Sequence, residues 1–119
     1  MLSTGIAGAA ALAAITLTTT PAQAADGYYR CPPSHLCLFT GPDGTGAIAT
    51  FQVGSPDLRQ QGVDANVASV MNLTAKGVCG WSEPGYTGET LIAWPGTHGQ
   101  GTNLGDYARY RLSSVKVGC

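Results

Sequence analysis

The sequence predicts an all-β domain in which two four-stranded Greek keys pack as a sandwich. Three observations lead there. Glycine and proline interrupt the second part of the chain every few residues, and between them lie short apolar or alternating runs: "LCLF", "AIATF", "VASVMNL", "TLIAW" and "LSSVKV". Runs this short, punctuated this way, read as strands rather than helices. The chain also repeats itself. "CLFTGPDGTGA" at 37–47 and "CGWSEPGYTGE" at 79–89 share a cysteine, an aromatic two places on, a hydroxyl, a proline three places before a threonine, and a Thr-Gly pair. Finally, the chain carries four cysteines, Cys31, Cys37, Cys79 and Cys119, which in an exported protein of this size read as two disulfides.

Taken in order, the elements begin with a leader. No charged side chain precedes Asp26, and the apolar "GIAGAAALAAITLTTT" is followed by "PAQA", whose Ala22-x-Ala24 suits a signal peptidase. Residues 1–24 are therefore expected to be a secretory signal cleaved after Ala24, although no Lys or Arg precedes the apolar run. A membrane anchor fits less well, because the run is diluted by Gly and Thr and falls short of the ~20 residues that span a bilayer. Residues 25–119 are then expected to form one secreted domain, with a first key at about 31–74 and a second at about 77–119. A domain this small buries only about 60–65% of its unfolded surface, so cross-links matter to it.

Within each half the order is the same. A Cys-aromatic hairpin comes first, then a strand ending in an aromatic, "IATF" to Phe51 or "LIAW" to Trp94. A Gly-rich loop follows, then a Ser-Val strand, "ASV" at 68–70 or "SSV" at 113–115. A single unit of about 40 residues cannot bury its apolar face alone, which explains the pairing. "LRQQGV" at 58–63 has room for one helical turn and no more.

Composition excludes several functions. Six basic and seven acidic residues give a net charge of −1, with no basic stripe to follow a phosphate backbone. Nucleic acid is not an expected partner. No amphipathic helix marks a membrane surface. "GPDGTG" lacks the lysine and the strand-to-helix setting of a phosphate loop, and neither HExxH nor GxSxG occurs. The two histidines, His35 and His98, sit in Gly/Pro-rich surroundings that offer no buried general base. No enzyme activity and no cofactor are expected. His35 between Cys31 and Cys37 raises zinc, but the cysteine spacing exceeds that of structural zinc pairs and no second pair exists.

Aromatic, four residues, aromatic, one residue, glycine is the hairpin signature of βγ-crystallin Greek keys, and "WSEPGYTG" meets it with Trp81, Tyr86 and Gly88. "FTGPDGTG" keeps Phe39 and Gly46 but has Gly44 in the second aromatic place. With the opening "CPPSHLCLF" and the Ser-Val strands, residues 31–119 resemble secreted actinobacterial proteins of peptidase inhibitor family I36. The resemblance implies a βγ-crystallin-like sandwich that acts, as an expected monomer, on a secreted peptidase, with thermolysin-like metallopeptidases as the target class. In a crystallin-like key the first and fourth strands are antiparallel neighbours. That implies Cys79–Cys119, and leaves Cys31–Cys37.

Calcium is the rival that the same resemblance raises, since many such domains bind it through an acidic or Asn pair, two spacers and Ser/Thr-Ser. "DANVAS" keeps Asp64 and Ser69 but has Ala65 and Ala68 where oxygen ligands belong; "RYRLSS" has Arg109 and Tyr110 in the acidic places. No tight calcium site is expected. The expected inhibitory segment is the connection between the halves, Lys76, Gly77, Val78 and Cys79. Val78 is the apolar residue for the target's pocket and Cys79 is the anchor. Two other loops compete, one with Leu58 and one with Leu104 and Tyr107. A structural or weakly calcium-binding crystallin-like protein is the alternative, and a small secreted toxin the third reading, which the near-neutral charge disfavours.

Overall fold

A computed structural model describes residues 27–96 and 100–119. The expected leader at 1–24, and His98, lie outside the described residues. Among the described residues eight strands form two four-stranded sheets: β1 Leu36–Phe39, β2 Ile48–Phe51, β3 Gly54–Ser55, β4 Ser69–Asn72, β5 Val78–Glu83, β6 Thr87–Trp94, β7 Thr102–Asn103 and β8 Ser114–Val117. The strand orders are β2-β1-β4-β7 and β3-β8-β5-β6, and every pairing is antiparallel. The one helical turn between β3 and β4 is a 3₁₀ turn at Leu58–Gln61. Asp57 caps it by accepting the Arg59 N–H at 3.0 Å.

The halves do not each own a sheet. β3 belongs to the first half yet pairs with β8, Gly54 opposite Lys116 and Ser55 opposite Val115. β7 belongs to the second half yet pairs with β4, Ser69 opposite Asn103 and Val70 opposite Thr102. The loops cross in the same reciprocal way. Leu58 N–H donates to Ser113 C=O and Leu104 N–H to Ala68 C=O, both at 2.9 Å. Ala65 N–H donates to Leu112 C=O and Tyr110 N–H to Val67 C=O, again at 2.9 Å. Between the sheets lies one apolar core to which both halves contribute, including Leu36, Leu38, Phe51 and Val70 from one and Val78, Ile92, Leu112 and Val115 from the other.

Each hairpin folds over itself and is pinned by one serine. In the first, Asp43 and Gly44 have φ of 56° and 72°; in the second, Gly85 and Tyr86 have 75° and 62°. Ser69 Oγ accepts from Gly44 N–H at 3.0 Å and donates to Gly41 C=O at 2.7 Å. Ser114 Oγ accepts from Tyr86 N–H at 3.1 Å and donates to Glu83 C=O at 2.7 Å. Both serines are fully buried, so each hydroxyl satisfies backbone groups that a methyl would leave unpaired.

The two hairpins obtain their second ring differently. Tyr86 lies edge-on to Trp81, with centroids 5.4 Å apart. Gly44 has no ring, and Tyr28, from outside the repeat, supplies one: it meets Phe39 edge-on with centroids also 5.4 Å apart. A Cβ on Gly44 would lie 2.6 Å from the Tyr28 backbone nitrogen, so only glycine leaves the segment room to lie there. Arg30 stacks over Phe39 at 5.4 Å and donates to Gly44 C=O at 2.6 Å. A disulfide joins Cys31 to Cys37 and fastens this segment over the outer face of β1, forming a second small core with Phe39, Ile48, Met71 and Leu73. All four residues of β1 are buried for that reason, two under each covering layer.

Truncating the borrowed ring, Tyr28→Ala, is expected to destabilise residues 25–119 by about 2 kcal/mol in chemical denaturation, since it removes a partly buried aromatic. Tyr29→Ala, at a side chain 79% exposed, is expected to stay within about 0.5 kcal/mol of wild type.

Candidate functional site

The connection between the halves is a tight surface turn held from beneath. Asn72, fully buried at the end of β4, donates from its amide nitrogen to Lys76 C=O at 2.8 Å and to Gly96 C=O at 3.3 Å. Its amide oxygen accepts from Thr74 N–H at 3.0 Å and Thr74 Oγ1 at 2.6 Å. Gly118 N–H donates to Gly77 C=O at 2.7 Å from the other side. Gly77 passes so close to the end of β6 that a Cβ there would lie 2.6 Å from Trp94 C=O. A disulfide joins Cys79, two residues on, to Cys119. Ala75 and Lys76 project into solvent from this frame.

Two expectations change here. Val78 is fully buried, opens β5 and pairs with Trp94 and Val117, so its side chain anchors the turn from inside and is not presented to a partner's pocket. Leu58 and Leu104, the apolar residues of the competing loops, are likewise buried, at 0% and 3% exposure, and occupy equivalent places under the two crossing loops. Tyr107 differs: it is 57% exposed. Residue type alone does not separate an apolar side chain that faces out from one that starts a strand. Register does, and that comes from pairing.

Tyr107 belongs to a cluster that single residues in the sequence do not announce. Its hydroxyl donates to Glu89 on β6, and Arg111 donates to the other Glu89 oxygen at 2.6 Å while its guanidinium lies 5.4 Å over the Tyr107 ring. Arg109 lies 5.9 Å over the Tyr110 ring and pairs with Asp106. The hydrogen bond from Tyr107, then that from Arg111, holds the Glu89 carboxyl below its ordinary range, and the same bond raises the Tyr107 phenol.

The degraded calcium stretches do not fit a divalent cation. Asp64 Oδ1 is buried without a hydrogen-bond partner, but beside it Ala65 and Ala68 offer methyl groups, and the Arg59 cation acts on the same carboxylate. A hard cation needs several oxygens at once. In the second half Arg109 and Tyr110 stand at the places of Asp64 and Ala65, with Arg111 beside them. Among the described residues no group of three His, Cys, Asp or Glu could hold a metal ion. Cys31 and Cys37 are spent in their disulfide, and His35 Nδ1 donates to Pro33 C=O at 2.8 Å. Among the described residues no pocket opens.

A family model described as peptidase inhibitor family I36 matches residues 24–92, a stretch that includes the turn at 74–79. No curated protein matches the chain. Among solved structures, a βγ-crystallin from Ciona intestinalis is 22% identical, with TM-score 0.57, covering 70% of this chain and 98% of that one. A βγ-crystallin domain from Clostridium beijerinckii is 17% identical, with TM-score 0.58, covering 71% and 97%. A βγ-crystallin from an archaeon is 10% identical, with TM-score 0.57, covering 72% and 99%. At these identities the likeness establishes the βγ-crystallin fold.

Two outcomes are expected. Millimolar calcium leaves the melting temperature of residues 25–119 unchanged, whereas a ligand of the native state would raise it. The second concerns pH. A carboxyl held low in the folded state contributes stability above its unfolded pKa of ~4.3, and that contribution is lost as pH falls through the lower folded value. The stability difference between wild type and Glu89→Gln, followed by denaturation from neutral pH to about pH 3, is therefore expected to shrink on the acid side.

Proposed function

Because the chain belongs to peptidase inhibitor family I36, we propose that it is a secreted inhibitor of thermolysin-like metallopeptidases that docks through the rigid turn at 74–77. Family membership makes a peptidase its partner, and that match is the observation that carries the reading. Cleavage after Ala24 would release residues 25–119 as the mature inhibitor, and two disulfides suit an oxidising exterior.

The turn has what an inhibitor of peptidases requires. A flexible loop loses conformational entropy on docking and is cut quickly once docked; a loop already held in one shape does neither. Here Ala75 and Lys76 form the exposed contact, and Gly77 lies half-buried behind them. Val78 fixes the exit of the turn by burial, and Cys79 fixes it covalently to the chain's last residue. Asn72 holds the Lys76 carbonyl from below and Gly118 N–H holds the Gly77 carbonyl, so the backbone is restrained on both sides of the peptide bond that follows Lys76.

Titrating residues 25–119 against a panel of secreted metallo- and serine peptidases tests this. The expected result is a sharp stoichiometric end point with a thermolysin-like enzyme. Absence of inhibition across the panel would leave a structural crystallin-like protein instead. The double variant Cys79→Ser/Cys119→Ser is expected to lose about 4 kcal/mol of stability in the chain-entropy account of a 40-residue loop and to be degraded by the enzyme that wild type inhibits.

A further inference from the structure

The two halves perform the same backbone task with different surfaces, and the difference singles out one loop. Leu104–Ser113 leads from β7 in one sheet to β8 in the other as Leu58–Ala68 leads from β3 to β4, with the same reciprocal hydrogen bonds and matching buried residues: Val63 with Ala108, and Val67 with Leu112. Between those shared anchors the first half exposes Gly62, Ala65 and Asn66, with Asp64 half-buried. The second exposes Tyr107, Arg109, Tyr110 and Arg111 at the corresponding places. The fold is satisfied by small residues there, so it does not call for two rings and two guanidinium groups.

Tyr110 sharpens the point. Its φ is 63°, in the left-handed region where a bulky side chain is disfavoured, and its ring is 47% exposed. The left-handed backbone belongs to the shared scaffold, since Ala65 at the equivalent place has φ 51° and donates the matching hydrogen bond; what the second half adds there is a bulky, half-exposed ring. The cluster is also set in advance. Arg111 covers the Tyr107 ring and both bond Glu89, while Arg109 covers the Tyr110 ring. Tyrosine and arginine are the side chains that carry most binding energy at protein interfaces, and rings already fixed lose little entropy on docking.

We propose that Tyr107, Arg109, Tyr110 and Arg111 form a second contact surface for the inhibited peptidase, away from the turn at 74–77. This rests on the inhibitor reading. Glu89 lies near the start of β6, whereas the turn packs against its end at Trp94 and Gly96. The five steps along the strand from Glu89 to Trp94 span about 17 Å. A standard interface of about 800 Å² per partner is roughly 30 Å across, wide enough to reach from one to the other. The surface takes the body of a protein, where backbone carbonyls and carboxylates meet the guanidinium edges and side chains pack on the free ring faces.

The test measures the inhibition constant of residues 25–119 toward a peptidase that wild type inhibits, alongside thermal melting. Tyr107→Ala/Arg111→Ala is expected to weaken inhibition at least about tenfold, a typical hot-spot loss. Tyr110→Gly is expected to weaken it as well while keeping or raising the melting temperature, because glycine takes the left-handed backbone without strain. A purely structural role would lower the melting temperature and leave inhibition by the folded protein intact. Gln60→Ala, on the exposed loop of the first half, is expected to change neither. Unchanged inhibition in both patch variants overturns the second surface and leaves the inhibitor reading standing. A wild type that inhibits no peptidase overturns both.

Discussion

Neither sheet of this protein is complete until the other half of the chain supplies its missing strand. β3 leaves the first key to lie beside β8, and β7 leaves the second to lie beside β4. The exchanged strands are only two residues long, but each carries with it a crossing loop whose buried leucine, Leu58 or Leu104, seals the core. An isolated key would expose both an unpaired edge and an open apolar face. The exchange thus makes two marginal units into one core, with the two disulfides holding its ends: Cys31–Cys37 closes the entry and Cys79–Cys119 joins the second key to the chain terminus.

That shared core is what lets a surface turn be rigid. The turn at 74–77 is the covalent link between the halves, and the groups that hold it come from both: Asn72 from the end of the first key, Gly96 and Gly118 from the second. If the halves parted, the turn would lose its frame. An inhibitor built this way gains resistance to its target from the same packing that gives it shape. The tyrosine–arginine residues sit on a loop whose Leu104 and Tyr110 amides bond Ala68 and Val67 of the first half, so they too are positioned by the joint between halves.

Much of this was legible in the sequence, and what was not has identifiable causes. The doubling was visible because glycine and serine recur at fixed places, and both pinning serines, Ser69 and Ser114, fall in the Ser-Val strands read from the sequence. The exchanged strands Gly54–Ser55 and Thr102–Asn103 are too short to show a period, so nothing local reports which sheet they join. The missing ring at Gly44 was legible as a gap. Its replacement by Tyr28 was not, because the donor lies outside the repeat. Val78 next to a surface-loop signal looked available, and only pairing with Trp94 and Val117 turned it inward. Arg109 and Tyr110 read as lost calcium ligands, with Arg111 beside them. That they gather with Tyr107 into one exposed cluster became visible only once the loop was folded against Glu89.

Native-state hydrogen exchange addresses the joint between halves most directly. The paired amides of β1 and β4 in one sheet and of β5 and β8 in the other report the opening of each key separately. If the exchange of third strands binds the halves into one unit, the most protected amides of both sheets open with a single common free energy, equal to that of global unfolding. If one sheet instead exchanges several kcal/mol more easily than the other, the halves are independent modules, and the rigidity ascribed to the turn between them has no source.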